Sequence, residues 1–168
     1  AGDAMAGEKP DRGGALAWCG EALKIDPGSM EARKKITSLE IFAVMDFTGK
    51  NVSGADASIV TDLLRTELVN TGIFNILDRA NMDAIMAEQK FQNSGCTEQE
   101  CAAQIGKLLN VTKMIVGTMS KLLDSYHITV NLVDVQTGKI LSSHNAEAAN
   151  SRELREACGN LAGKFAAQ

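Results

Sequence analysis

Seven residues, IFAVMDF from Ile41 to Phe47, constrain the fold of this chain more than any other stretch. They make a nearly continuous apolar run bounded by Gly49, which predicts a strand buried on both faces. The next segment changes period. In VSGADASIVTDLLRTELVNTG, Val60, Leu64 and Leu68, with Ile59 and Leu63 beside them, recur at helical spacing. Ser53 and Asp56 can form a capping box there, and Gly72 stands where a helix C-cap wants it. IFNIL, Ile73 to Leu77, reads as a second short strand, and Asp78 can cap the helix RANMDAIMAEQKF. A third helix lies in NSGCTEQECAAQIGKLLN.

Three strands and a helix complete the pattern. KMIVGTMSKLL is a strand with a glycine at its middle. SYHITVNLVDV alternates, with Ile128, Val130 and Leu132 on one face, so its other face is wet. QTGK is a tight hairpin turn with its glycine in the left-handed position, and KILSSHNAEA returns as a strand. SRELREACGNLAGKFAAQ closes as a helix, with Leu154, Cys158, Leu161 and Phe165 on one stripe. The order β-α-β-α-α-β-β-β-α predicts an α/β (α+β) two-layer sandwich, a mixed sheet of about five strands with helices on one face.

The first 38 residues read differently. Residues 1–13 have the composition of a linker or a disordered segment. Ala15, Cys19, Ala22 and Pro27 stand in the pattern A-x3-C-x2-A-L-x-I-D-P, with a helix break at Asp26-Pro27-Gly28. This pattern resembles the second helix of a tetratricopeptide repeat, whose small residues let paired helices pack closely. The expected organisation is therefore a tetratricopeptide-like helical segment over 1–38 and an α/β domain over 39–168. A plain helical hairpin is the other reading of the first segment. Trp18 before Cys19 is too bulky for a lipoprotein cleavage site, so Cys19 reads as a small buried helix residue.

The chain of 168 residues is 45% apolar and 23% charged, as in a globular protein. Its net charge of −4, with no basic stripe, argues against nucleic acid as a partner. No apolar run reaches the length of a membrane helix.

Chemistry is sparse. Thr97 and Glu100 fit the capping box T-x-x-E, with Thr97 at the N-cap. Cys96 and Cys101 then occupy the two positions that touch in a hydrophobic staple, close enough for a disulfide worth about 2 kcal/mol. Two free staple thiols, or a metal or redox pair, are the alternatives. The spacing is C-x4-C rather than C-x-x-C, and the chain has only 2 histidines to complete a zinc site. If the QTG turn pairs Val135 with Lys139, His144 falls opposite Val130 and His127 opposite Glu147, on different faces of the sheet. Asp56, Asp62, Glu67 and Glu153 read as cap or solvated surface residues. DFTGK lacks the earlier glycine of a P-loop, and Asn51 follows its lysine. Catalytic residues, cofactor-binding residues and metal ligands are all expected to be none, and the chain is not expected to be an enzyme.

IFAVMDFTGKNVSG, FNILDRANMDAIMAEQ, GCTEQECAAQIGKLLNVTKMIVGTMSKL and YHITVNLVDVQTGKIL together resemble the curli production assembly/transport (CsgG-type) family over about residues 41 to 150. The most telling pieces are C-x4-C-A-x2-I-G-K-L-L running into M-I-V-G, and the L-V-D-V-x-T-G-K-I hairpin. A similar layout is shared by outer-membrane lipoproteins that activate penicillin-binding proteins and by the N-terminal domain of the Tol-system propeller protein. The resemblance implies a periplasmic, outer-membrane-associated protein of a Gram-negative bacterium. Such a compartment is oxidising and favours the Cys96–Cys101 bond. It implies a non-enzymatic adaptor or assembly factor whose partners are other envelope proteins, in secretion or cell-wall machinery, with homo-oligomers allowed. Two readings stand beside this: an oligomeric outer-membrane secretion component, and a small-ligand-binding domain. The family's pore is built from long hairpin insertions, whereas the connections at Asp124-Ser125 and Gln136-Gly138 are tight turns. Membrane association is then expected only through an upstream anchor or through partners.

Overall fold

The structure, a computed structural model, describes residues 17, 21, 24–25, 30–88 and 99–167. The chain divides into two compact units, Ala1–Leu39 and Glu40–Gln168. In the first unit the described residues are helical and include helix α1, Met30–Leu39. The break expected at Asp26-Pro27-Gly28 and the small residues of the repeat-like pattern lie outside the described residues.

The second unit is the expected mixed sheet with helices. In chain order it runs β1 (Ile41–Val44), β2 (Thr48–Lys50), α2 (Gly54–Asn70), β3 (Asn75–Ile76), α3 (Arg79–Glu88), α4 (Gln99–Leu108), β4 (Lys113–Leu122), β5 (Ser125–Asp134), β6 (Ile140–Ala148) and α5 (Glu153–Ala166). The sheet order is β3-β1-β4-β5-β6, with β2 paired to β4. β1 is parallel to both of its neighbours, while β4, β5 and β6 form an antiparallel meander.

The sixth strand comes from a break in the IFAVMDF run. Val44 pairs with Ile115 and Thr48 with Thr118, so four steps along β1–β2 oppose three along β4. The extra residue is a bulge. It turns the Phe47 N–H out of the ladder, where it donates to Thr61 Oγ1 at 2.9 Å; that hydroxyl in turn donates to Ala57 O.

The helices cover both faces of the sheet rather than one. Phe42, Val44, Ile115, Ile128 and Val130 pack with Leu64 and Leu68 of α2 and with Leu161 and Phe165 of α5. Ala43, Met45, Met114, Val116 and Val133 pack with Met82 and Met86 of α3 and with Ala102 and Ile105 of α4. The connections explain this. β1–α2–β3 moves one way across the sheet and β3–α3–α4–β4 moves back. Crossovers of one hand that run in opposite directions must deposit their helices on opposite faces. Burying a side chain such as Leu64 or Ile105 contributes about 1.5–3 kcal/mol, so both layers matter to stability.

Local signals hold at several places. The Asp56 N–H donates to Ser53 Oγ at 3.0 Å, capping α2, and Gly72 follows with φ +69°. The Asn81 N–H donates to Asp78 Oδ2 at the start of α3. The stripe Leu154, Cys158, Leu161 and Phe165 is buried.

Candidate contact surfaces

Three features of the second unit concentrate polar or reactive groups. The first is an ion-pair network at the C-terminal end of β1. Asp46 follows β1, Asp62 and Arg65 stand on α2, and Arg79 opens α3. Arg79 reaches Asp62 at 2.8 Å, Asp46 at 2.9 Å and Ser58 Oγ at 3.2 Å. Arg65 reaches the same Asp62 oxygen at 2.6 Å and donates to Val44 O at 2.8 Å. Burial holds the Arg65 guanidinium below its ordinary pKa. For Arg79 burial acts the same way, but the hydrogen bond to Asp62 and the carboxylates of Asp46 and Asp83 outweigh it and raise its pKa. The network ties the two crossovers to the C-terminal end of β1. Arg79→Ala is expected to cost about 1–2 kcal/mol in urea unfolding, because three carboxylates lose a shared cation. A change within 0.3 kcal/mol would reduce the network to a solvated surface.

The second feature is the turn between β5 and β6. Asp134 accepts from Lys113 Nζ at 2.7 Å and from the N–H and hydroxyl of Thr137 at 2.8 Å. Lys113 also pairs with Glu40 at 3.2 Å. Burial opposes the Asp134 charge, yet the bonds from Lys113 and Thr137 prevail and hold its pKa at about 2. An unfolded aspartate titrates near 3.9, so the stabilisation is fully present above about pH 4 and is lost as pH falls through about 2. Asp134→Asn should therefore cost on the order of 1 kcal/mol at pH 7. Urea titrations of the two proteins should converge between pH 4 and pH 2; a gap independent of pH would exclude the charge as its cause.

The third is a groove of about 800 Å³ between β6 and α5, lined by residues that include Asn145, Glu147, Glu156, Gly163 and Lys164. The Lys164 ammonium donates to Asn145 O at 3.1 Å across it. Glu153, exposed at the start of α5 as expected for a surface carboxylate, accepts from the Ala149 N–H at 3.0 Å and from the Asn150 amide at 2.8 Å, while Asn150 Oδ1 accepts from the Arg152 and Glu153 N–H groups.

The residues singled out in the sequence fall as follows. Cys96 and Thr97 lie outside the described residues. Glu100 is exposed in the first turn of α4, and Cys101 is half-buried against the α3–α4 core. Cys158 is a buried free thiol; burial first, then nearby Glu67, pushes its pKa up to about 12, so it is inert. His144 pairs with Val130 and packs edge-on against Phe165 at 4.7 Å, while His127 pairs with Glu147 on the opposite face. That register is the expected one, although the turn differs. A bulge at Leu132/Val133 puts Ile140 opposite Val133, and the Gly138 N–H (φ +70°) closes a wider turn onto Asp134 O at 2.8 Å. Asp62 is expected from sequence to be plain surface; its i,i+3 pair with Arg65 is local and visible there, whereas Arg79 reaches it only through the tertiary fold.

Among the described residues no group of three or more His, Cys, Asp or Glu could hold a metal ion, and no helix is long and apolar enough to cross a membrane.

Residues 37–125 match the family described as curli production assembly/transport component CsgG. The C-terminal domain of LpoB from Salmonella enterica is similar in structure, with a TM-score of 0.57 at 17% identity, covering 83% of this chain and 99% of that one. Lipoprotein GNA1162 from Neisseria meningitidis gives a TM-score of 0.57 at 12% identity, covering 76% of this chain and 96% of that one. TolB from Acinetobacter baumannii gives 0.52 at 16% identity, covering 77% of this chain but 28% of that one. At these identities the structural likeness is one of fold. A search of curated proteins gave no match.

Proposed function

The chain belongs to the curli production assembly/transport component CsgG family, and from that premise we propose that it is a non-enzymatic adaptor or assembly factor of a Gram-negative envelope. It works through contacts with other envelope proteins, on the periplasmic side and associated with the outer membrane. The observation that carries this reading is the family match, which spans β1 through β4 and so includes the whole parallel half of the sheet. The shared fold of LpoB and of a lipoprotein supports it, and so does the pairing of the two ion networks described above, whose charged groups are engaged with each other. A tetratricopeptide-like segment over 1–38 would add a groove for a partner peptide, a reading supported by the A-x3-C-x2-A-L-x-I-D-P pattern.

Capture of partners by the tagged whole protein from a crosslinked Gram-negative envelope is expected to recover envelope proteins reproducibly. Recovery of none in repeated experiments would overturn the reading.

The compartment makes a separate expectation. A Cys96–Cys101 bond at the start of α4 is proposed from the staple spacing and favoured by an oxidising periplasm. Protein unfolded without reductant should then show two reactive thiols out of its four cysteines, and the folded protein should not expose Cys158. Four reactive thiols on unfolding would remove the bond.

A further inference from the structure

The outer side of β6 is an open ladder beside a groove, and we propose that it takes an extended, lysine- or arginine-bearing segment of a partner protein as an added strand. The inference rests on the adaptor reading above and names the kind of partner segment. Among the described residues β6 pairs only with β5, which leaves a strand of 9 residues open along its far side. The Lys164 bond fixes how that side is presented: Asn145 O points away from β5, toward α5. The N–H and C=O of one strand residue point the same way, so the Asn145 N–H also faces out, and period two adds those of Ser143 and Glu147. These are the groups that a peptide joining a sheet edge needs. On the α5 side Gly159, Gly163 and Ala167 keep the wall low, which leaves room for a short strand in the groove of about 800 Å³.

Charge selects the occupant. Glu147, Glu153 and Glu156 line the groove against one lining cation, Lys164, and that cation is already held on the Asn145 carbonyl. A second copy of this chain would bring the same carboxylates face to face, so self-pairing is disfavoured. Lysines on edge strands keep them from pairing indiscriminately. Here Lys164 occupies an acceptor that an incoming strand requires. A strand displaces it most readily when it brings its own cations to the glutamates.

The test uses fluorescein-labelled eight-residue peptides of alternating valine and lysine, the glutamate counterpart, and two forms of the lysine peptide N-methylated at alternate amides. The lysine peptide should bind the whole protein in fluorescence anisotropy, and the glutamate peptide at least about ten-fold more weakly. Only one edge of an added strand faces β6, so methylating one set of amides should weaken binding about ten-fold and methylating the other less than about two-fold. Lys164→Ala should tighten binding about three-fold by freeing the Asn145 acceptor. No binding by the lysine peptide, or equal effects of the two methylation patterns, would overturn the proposal; the latter means adsorption by charge alone. Asn145→Pro separates this from the adaptor reading. It removes an outward N–H without a ladder bond to β5, so the sheet persists. If the folded variant recovers the same envelope partners as the parent, the strand site is wrong and the adaptor reading stands. If the parent itself recovers none, the adaptor reading fails whatever the peptides do.

Discussion

Gly117→Ala is expected to destabilise the α/β unit by about 3 kcal/mol, at the upper end of what overpacking costs. Gly117 sits at the middle of β4, paired with Val130 of β5. A methyl group there would lie 2.6 Å from the backbone oxygen of Thr129 and 2.9 Å from Cε1 of Phe47. The Thr129 oxygen belongs to the neighbouring strand and cannot move without shifting β5. Alanine would gain roughly 0.5–1 kcal/mol by removing glycine's extra chain entropy, which is too little to offset a displaced strand. The double variant Gly117→Ala/Phe47→Ala should not recover the loss, since the contact with the Thr129 oxygen remains. Urea unfolding followed by circular dichroism checks both proteins; a more stable single variant would show that the ring and strand yield easily.

Gly106→Ala should lower stability by about 1–3 kcal/mol, although alanine is the better helix former by about 1 kcal/mol. Gly106 is buried in α4. An added methyl would collide with Val135 Cγ2 and come within 2.9 Å of Met114 Cγ. Met114 is flexible and can swing aside, but Val135 is branched and stiff. The decisive comparison is therefore with Val135→Ala. Adding Gly106→Ala to that variant should cost little or even stabilise, a coupling of about 1 kcal/mol or more. Strict additivity would mean that the helix does not depend on this close approach.

Both glycines stand in stretches that the sequence already marked, IGKLL and MIVGTM, and both elements lie where the pattern put them. What the pattern did not contain was the neighbour. Phe47 approaches Gly117 only because the bulge after Val44 rotates it, and a bulge leaves no mark in an apolar run such as IFAVMDF. The ion-pair network was hidden for the same reason. Asp46 and Arg79 are 33 residues apart and meet only when β1 and α3 have been placed. The Asp134 turn is intermediate: D-V-x-T-G-K reads as a turn, but the Lys113 partner arrives across the sheet.

The sequence by itself determined what is local. Periods of two and 3.6 residues set strand and helix, and Ser53, Asp78 and Gly72 set their ends; the short β5–β6 connection led to the register that keeps His127 and His144 apart, although the turn itself is wider and a bulge intervenes. These follow from groups a few residues from each other. Tertiary structure decided which face each helix covers. The residues of β1 point both ways, and the opposite directions of the two crossovers sent α2 to one side and α3 and α4 to the other, while α5, which follows β6, packs on the α2 side. It also decided where contact is offered, since β6 is an edge only because no other described strand lies beyond it, and the α5 wall and its carboxylates reach that edge through packing.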